Sequence, residues 1–241
     1  MNGVRLLVPR VIVPHFIARR FDPASSDVLR RFLRPGMVVI DVGAHIGYYT
    51  ALAAARVVPG GRVFAVEPAE ENLAVLRRNV GRLAAGSVTV CECAAGPRRA
   101  VRTLHLTGSS DGHSFFPHPL FGSVGTVEVR QEPVDALVDG RVDLIKIDVE
   151  GAELDALAGM ERILTENPQA RLLVEWNPAC MHQAGREPDE LPELLLRRGY
   201  RLALLDEAAD GPRSLDEARI AAAAGTLPLS WFANLWAERE P

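Results

Sequence analysis

Short, nearly unbroken runs of apolar residues recur along the chain, each followed by a glycine or proline turn and a segment with helical spacing. Residues 38–42, 144–148 and 171–176 are such runs, and runs of this length are typical of strands buried in a parallel sheet. Leu73, Leu76 and Val80 then recur at the spacing of one buried helix face. This alternation of strand and helix predicts an α/β domain.

The same criteria extend along the whole chain. Alternating apolar and polar residues in 101–106 and 126–130 predict two further strands, each with one exposed face. Asp22-Pro23 predicts a helix start, with Asp22 as the cap. The remaining predicted strands are 62–66, 88–93, 200–205 and 229–237, and the predicted helices are 23–33, 48–57, 70–83, 152–164, 187–198 and 214–224.

The first strand ends in a glycine turn whose spacing separates two kinds of ligand. The turn has the pattern Asp41-x-Gly43-x-x-x-Gly47, whereas a dinucleotide site has Gly-x-Gly-x-x-Gly. A carboxylate at Asp41 disfavours a pyrophosphate and suits a ligand that carries an amine. Glu67 ends the next strand, where a carboxylate can accept bonds from ribose hydroxyls. Together these residues favour S-adenosylmethionine over a generic turn with no ligand.

A second string indicates the family. Residues 143–159 have the sequence DLIKIDVEGAELDALAG, which with DVGAHIGYYT at 41–50 and VEP at 66–68 closely resembles the FkbM family of S-adenosylmethionine-dependent methyltransferases. The resemblance covers residues 33–175, and His45 departs from it because the family more often has Asn there. It implies a Rossmann-like class I fold: a seven-stranded, mostly parallel sheet of order 3-2-1-4-5-7-6, with the last strand antiparallel and helices on both faces.

The resemblance also implies a cofactor site and a hydroxyl acceptor on a secondary metabolite or sugar. The adenine is expected at the end of the third strand, although Glu92 there is as easily a solvated side chain. The predicted cofactor residues are Asp41, Gly43, His45, Gly47, Tyr49, Thr50, Glu67, Pro68, Asn72, Glu92, Cys93, Ala94 and Asp148.

Three residues are candidates for catalysis: Lys146, Asp148 and His182. Lys146 is the only lysine of the chain, and lysine, unlike arginine, shifts its pKa readily when buried. It is therefore predicted to act as a point charge or a proton handler with Asp148, the alternative being a structural ion pair with Asp148 or Glu175. His182 follows the fifth strand of the large sheet and is the histidine best placed by position.

A metal-assisted mechanism is the competing hypothesis. Asp148, Glu175 and Asn177 end neighbouring strands and offer oxygen ligands, which suit Mg²⁺. A bound Mg²⁺ would lower the pKa of an acceptor hydroxyl, whereas the Lys146 ammonium could neutralise Asp148 and remove the need for an ion.

Residues 107–125 form a long loop with glycines, histidines and aromatic side chains. Loops of this length are usually functional or disordered, and exposed aromatics would be costly, so the loop is predicted to be a lid over the substrate. The alternative is a packed surface loop. The predicted substrate and lid residues are His113, Ser114, Phe115, Phe116, Glu150, Glu175 and Asn177.

Composition limits the setting in which the protein works. The 241 residues carry a net charge of −4, which argues against a nucleic-acid partner, and no apolar run approaches the length of a membrane span. Three cysteines without a disulfide or zinc pattern fit a reducing, cytoplasmic compartment. We expect an extension and helix at residues 1–34 and one methyltransferase domain at 35–241. The expected partner is a small-molecule acceptor, with no membrane partner. The sequence leaves the oligomeric state open, with a homodimer as one of the options.

Two other function classes remain open at this point. A nicotinamide-dependent oxidoreductase uses a similar fold but needs the third glycine in register, which this chain lacks. A non-catalytic nucleotide-binding protein would have no need for the Lys146-Ile147-Asp148 string. Binding of S-adenosylhomocysteine against NAD distinguishes the first alternative, and product formation distinguishes the second.

Overall fold

A seven-stranded sheet forms the centre of the protein. The computed structural model describes residues 6–8, 22–81, 83, 86–206 and 214–239. The strands of the large sheet are β1 Val38–Val42, β2 Arg62–Val66, β3 Val88–Cys91, β7 Leu144–Ile147, β8 Arg171–Trp176, β9 Arg201–Asp206 and β10 Ala233–Glu238. They lie in the order β3-β2-β1-β7-β8-β10-β9, which is 3-2-1-4-5-7-6 when only this sheet is counted. Strand β10 is antiparallel to both neighbours, so the predicted order and orientation are confirmed.

Helices cover both faces of this sheet, as predicted. They are α1 Pro23–Phe32, α2 Tyr48–Val57, α3 Glu70–Val80, α4 Glu153–Ala158, α5 Glu161–Glu166, α6 Pro178–Gln183, α7 Glu190–Arg197 and α8 Leu215–Ala223. Alternation along β1 shows the two layers, because Val39 packs with α1 and α2 whereas Ile40 packs with α4, α5 and α7. Residues of one parity in each strand therefore share the α2 face.

Three shorter strands form a second sheet that the sequence predicted only in part. Strands β5 Ala100–Leu106 and β6 Gly125–Glu132 pair antiparallel, and β4 Ala94–Ala95 adds to β6 in parallel. The third strand of the large sheet ends at Cys91 and not at residue 93 as predicted, and β4 begins just beyond the predicted strand. The small sheet connects the loop of residues 107–124 to the large sheet through Ala94 and Ala95.

The predicted helix over residues 152–164 is two helices. Gly159 lies at the break between them. The position requires glycine, because a Cβ there would lie 2.1 Å from the carbonyl oxygen of Gly96. The second helix, α5, is then capped from a distant segment: the Asp135 carboxylate accepts bonds from the N–H groups of Arg162 and Ile163, both at 2.9 Å. A cap from another part of the chain leaves no local sequence signal.

Helix α1 packs on the large sheet through Leu29, which is 1% exposed. Asp22 does not cap it with its side chain, because its carboxylate accepts a bond from the Tyr49 hydroxyl at 2.8 Å. Most of the predicted extension, residues 1–5 and 9–21, lies outside the described residues. Within the part that the structure describes, no helix has the length and apolar character that crossing a membrane requires.

Candidate active site

A pocket with an empty volume of about 870 Å³, including its open mouth, lies at the carboxyl ends of β1, β2 and β7. This is the edge at which open α/β sheets bind ligands. Side chains from the glycine turn, the ends of three strands and the loop after β5 line it. The lining residues used below are Gly43, His45, Tyr49, Glu67, Pro68, Asn72, Cys93, Ala94, Leu104, Ser110, Asp111, His113, Phe115, Lys146, Asp148, Val149, Glu150 and Ala152.

The turn after β1 is shaped by two glycines with positive φ. Gly43 has φ +76°, and a Cβ there would lie 1.8 Å from the carbonyl oxygen of Asp148. Gly47, with φ +88°, stands at the N-terminus of α2. Glycine adopts such angles without strain, so the turn from β1 into α2 can press against the chain that leaves β7. Gly47 itself lies beneath the pocket and does not line it.

Glu67 fixes the other side of that turn. Its carboxylate is 5% exposed and accepts bonds from the N–H groups of His45 and Ala69, both at 2.9 Å, and from the Asn72 amide at 3.2 Å. Burial raises the pKa of Glu67, and these donors partly offset that effect. Glu67 therefore holds the glycine turn and faces the pocket with the same carboxylate.

Lys146 lies between two carboxylates in the floor of the pocket. Its ammonium is 3.1 Å from Asp148 Oδ2 and 3.6 Å from Asp41 Oδ1. Burial favours a lower pKa for Lys146, but the charges of Asp148 and Asp41 outweigh it, so that the pKa is raised. The raised pKa favours the protonated form of Lys146, and the ion pair with Asp148 that the sequence analysis gave as the alternative is present. A catalytic role as a point charge or a proton handler stays a prediction.

Asp41 and Thr50 form the layer beneath this floor. The Thr50 hydroxyl donates to Asp41 Oδ2 at 2.5 Å, and the register of β1 and β7 places Asp41 beside Lys146. Neither Asp41 nor Thr50 lines the pocket. They hold Lys146 and α2 in place, and their predicted contact with the cofactor stays a prediction.

The structure brings together only some of the residues predicted near the adenine. Cys93 and Ala94 line the pocket, as do Pro68 and Asn72. Glu92 does not: its side chain is 47% exposed and pairs with Arg77 at 2.5 Å. The alternation of side chains after β3 turns it away from Cys93, so Glu92 is the solvated residue that the sequence analysis gave as the alternative.

The loop after β5 lies directly on the pocket. The Ser110 hydroxyl lies 2.8 Å from His45 Nε2. The backbone carbonyl of Ser110 accepts a bond from the Asn72 amide at 3.1 Å. His113 contacts Glu71 on α3, and Phe115 is 9% exposed under the guanidinium of Arg102. The loop therefore covers the part of the pocket that the glycine turn and α3 form. Phe116 is half-buried and does not line the pocket.

A strained segment after β7 carries further acids. Glu150 has φ +51°, and its backbone carbonyl accepts a bond from the Ser114 hydroxyl at 2.6 Å. Burial and the nearby Asp148 raise the pKa of Glu150 to about 8. Glu153 holds this segment, because its carboxylate accepts bonds from Val149 and Gly151 at 3.1 Å. Burial raises the pKa of Glu153 to about 7.

Two residues predicted near the chemistry lie elsewhere. His182 is on the exposed side of α6 and does not line the pocket, which contradicts its predicted catalytic role. Asn177 caps that same helix by accepting a bond from the Cys180 N–H at 3.2 Å. The Asn177-Pro178 pair is a helix-start signal that the sequence analysis did not use. The predicted Mg²⁺ set of Asp148, Glu175 and Asn177 is therefore wrong in its third member.

Sequence reasoning missed several residues that line the pocket. Ser110 and Asp111 lie within the predicted lid, but only their contact with the glycine turn distinguishes them from its other polar residues. Val149 and Ala152 belong to the family string and were passed over because they are apolar. Leu104 faces inward by the alternation of β5, which is a signal that could have found it.

The comparison with family models decides the assignment. Residues 41–202 match the model described as the methyltransferase FkbM domain. The chain belongs to the FkbM methyltransferase family. This match favours the methyltransferase hypothesis over the oxidoreductase and non-catalytic alternatives. The matched range includes both the glycine turn and the strained segment after β7.

Curated relatives agree with this family. The chain is 32% identical over 199 residues to the 31-O-demethyl-FK506 methyltransferase FkbM of Streptomyces tacrolimicus, covering 70% of this chain and 74% of the relative. The coverage of other relatives is smaller. The chain spans 58% of Methyltransferase 1 of Beauveria bassiana, at 28% identity over 51% of this chain, and 10% of the antimetabolite synthetase AmbE of Pseudomonas aeruginosa, at 24% identity over 73% of this chain.

Solved structures of methyltransferases share the fold. The methyltransferase FkbM of Methylobacillus flagellatus matches with a TM-score of 0.52 at 21% identity, over 88% of this chain and 50% of that one. The magnesium protoporphyrin IX methyltransferase of Synechocystis, solved with bound S-adenosylmethionine, matches with a TM-score of 0.54 at 15% identity, over 98% and 86% of the two chains. At these identities the matches show the class I fold alone.

Proposed function

We propose that this FkbM-family methyltransferase transfers a methyl group from S-adenosylmethionine to a hydroxyl of a small-molecule acceptor, such as a secondary metabolite or a sugar. The observation that carries the proposal is the buried Glu67 carboxylate, which faces the pocket beside the glycine turn. The name of the Streptomyces tacrolimicus relative describes methylation at an oxygen, and the Synechocystis structure holds S-adenosylmethionine. Both support the extension to this chain.

The residues present fit S-adenosylmethionine. A carboxylate has about four acceptor positions, and Glu67 uses three for protein N–H groups, which leaves one for a ribose hydroxyl. Gly43, His45, Tyr49, Asn72 and Cys93 would surround the ligand. When bound, S-adenosylmethionine supplies an electrophilic methyl carbon on its sulfonium sulfur.

The acceptor side follows from the charged residues of this chain. Asp148 and Glu150 face the same pocket, and a carboxylate in reach of a hydroxyl can accept its proton. Lys146 stays protonated and keeps Asp148 oriented through their 3.1 Å contact. Much of the rate enhancement would come from holding the acceptor in line and excluding water.

The acceptor is a small molecule in this proposal because the pocket is acidic. The carboxylates of Asp111 and Asp148 line it, and they would repel a phosphate backbone. The net charge of −4 supports the same choice. The proposal includes a divalent ion such as Mg²⁺ only where carboxylates converge at the site. Asn177 is therefore not one of its ligands.

Two measurements test the proposal. Calorimetric titration should show binding of S-adenosylhomocysteine and none of NAD⁺. Incubation of a panel of hydroxylated acceptors with trideuteromethyl S-adenosylmethionine should give a labelled ether, detected by mass spectrometry, and Asp148→Asn should lower its yield while S-adenosylhomocysteine still binds. Label on nitrogen or carbon in place of oxygen would refute the hydroxyl acceptor, and tight NAD⁺ binding would refute the cofactor.

A further inference from the structure

Three carboxylates converge where β7 and β8 end. Asp148, Glu150 and Glu175 each offer one oxygen, and these three oxygens lie within 4.8 Å of one another. Ligand atoms about 2.1 Å from a common Mg²⁺ lie roughly 3–4 Å apart, so small side-chain movements suffice for one ion to contact all three. The two strands are neighbours in the sheet, which fixes the spacing of the group.

Glu175 provides an independent sign of a missing partner. Glu175 is only 8% exposed, and its Oε2 atom is buried with no hydrogen-bond partner among the described residues. An unsatisfied buried carboxylate oxygen costs considerable free energy. In the alternation of β8 it points to the α2 face, the same face as Lys146. A cation between Glu175 and Asp148 would satisfy it.

The protein's own cations do not balance this group. Lys146 is 3.1 Å from Asp148, but it is also 3.6 Å from Asp41 and donates to the carbonyl oxygen of Gly43. Within the described ranges, neither Glu150 nor Glu175 forms an ion pair with a lysine or arginine. Two of the three carboxylates therefore have room for a positive charge from outside the chain.

A second group of side chains shares Glu150 but has the wrong protonation for a metal. His118, Glu150 and Cys180 also converge. However, His118 Nδ1 accepts bonds from the N–H groups of Leu120 and Phe121 at 3.1 and 3.2 Å. The proton of the neutral ring is then on Nε2, which faces Glu150 at 3.7 Å and has no lone pair for an ion. The Cys180 thiol likewise donates to Glu150 at 3.2 Å.

We propose that Asp148, Glu150 and Glu175 bind one hard divalent cation, Mg²⁺ or Mn²⁺, at the acceptor side of the pocket. Three carboxylates and no nitrogen or sulfur form the ligand set that these ions prefer. The inference rests on the proposed function only for its purpose, since an ion there would lower the pKa of an acceptor hydroxyl. Binding of the ion can be tested without turnover.

The test uses Mn²⁺ as the probe and the full chain after EDTA treatment and desalting. Electron paramagnetic resonance of free Mn²⁺ gives the stoichiometry and affinity for the wild type, Glu175→Gln, Glu150→Gln and the control Glu166→Gln, an exposed acid of α5. We expect one Mn²⁺ per wild-type chain, displaced by Mg²⁺. Glu175→Gln and Glu150→Gln should each weaken Mn²⁺ binding at least tenfold, and the control Glu166→Gln should not.

Folding and the alternative site are checked alongside. S-adenosylhomocysteine titration of each variant shows that the cofactor half remains folded, and its loss in the wild type would refute the proposed function and not the ion site. Absence of Mn²⁺ binding in the wild type, or wild-type affinity in both Glu175→Gln and Glu150→Gln, would overturn the inference. So would a Co²⁺–thiolate absorption band that disappears in Cys180→Ser, because it would assign the ion to the His118 group.

Discussion

The ammonium of Lys146 donates a hydrogen bond to the backbone carbonyl of Gly43 at 2.9 Å. This bond ties the centre of β7 to the glycine turn that follows β1, and Asp41 and Asp148 lie on either side of it. Lys146 is therefore a fixed positive charge that shapes the floor of the pocket. Arginine would not fit the same position, because its planar guanidinium is larger and presents its donors in a fork.

Replacing Lys146 tests this role. Lys146→Met should lower the free energy of unfolding by about 3–5 kcal/mol, because it leaves buried carboxylates without their partner. Urea unfolding followed by circular dichroism measures the change. The double variant Asp41→Asn/Lys146→Met should recover part of the loss, since it removes one of the stranded charges. If the double variant is less stable than Lys146→Met, the pairing of Asp41 with Lys146 is not what stabilises the floor.

Gly43 should tolerate no side chain. Gly43→Ala combines a positive φ with a Cβ only 1.8 Å from the Asp148 carbonyl oxygen. The matched control is Gly36→Ala, which has φ +84° and nothing within 4 Å. The control should lose about 1–2 kcal/mol from its backbone angle alone. Gly43→Ala should lose more and bind S-adenosylhomocysteine at least tenfold more weakly. Equal behaviour of the two variants in unfolding and calorimetry would contradict the close approach.

Glu67 should be the main polar anchor for the cofactor. Glu67→Gln replaces one acceptor oxygen by an amide donor and should weaken S-adenosylhomocysteine binding by about 1–3 kcal/mol, roughly tenfold to a hundredfold. Calorimetric titration measures the affinity. Glu92→Gln is the control, because Glu92 is exposed and pairs with Arg77, and its affinity should equal that of the wild type. A Glu67→Gln protein with wild-type affinity would remove the ribose assignment.

His45 should make stability depend on pH. Burial lowers its pKa from 6.5 to about 4, so the folded protein holds this ring neutral while the unfolded chain takes up a proton. The resulting stability is complete above pH 6.5 and is lost as the pH falls towards 4. The full loss is about 3 kcal/mol from the size of the shift.

The variant His45→Asn isolates that contribution. Asn tolerates the positive φ of this position, and the backbone N–H that bonds Glu67 is unchanged. We expect similar stability at pH 7.5 and a flatter dependence between pH 4 and 6.5 in urea unfolding. Parallel curves for the two proteins would show that other groups cause the acid sensitivity.

Much of the fold follows from local sequence patterns. The apolar runs gave the bounds of β1, β2 and β8 because strands buried on both faces tolerate few polar residues. Asp41 was found because glycine turns have a recognisable spacing, and Glu67 was found because it directly follows the second strand. The order of the strands came from the family resemblance and not from the pattern, since pairing is a long-range property.

The errors share one physical origin. Asn177 was assigned to a metal although its local role, a helix cap, was sufficient to explain it. His182 was chosen by its distance along the chain, whereas the turn of α6 decides which way it faces. The split between α4 and α5 depends on Gly159 meeting Gly96, and the pocket contact of Ser110 depends on how its loop folds back. In each case the three-dimensional course of the chain, and not the residue type alone, decides what the residue contacts.

The placement of β10 has a consequence for synthesis on the ribosome. This strand follows the other described strands in the chain, yet it lies between β8 and β9. Until residues 233–238 leave the exit tunnel, β8 presents an unpaired edge next to the acids of the pocket, and β9 has no partner in the large sheet. The half of the sheet formed by β1, β2, β3 and β7 can assemble earlier. Until β10 is in place, a nascent chain therefore carries an unpaired strand edge of the kind that pairs with other chains.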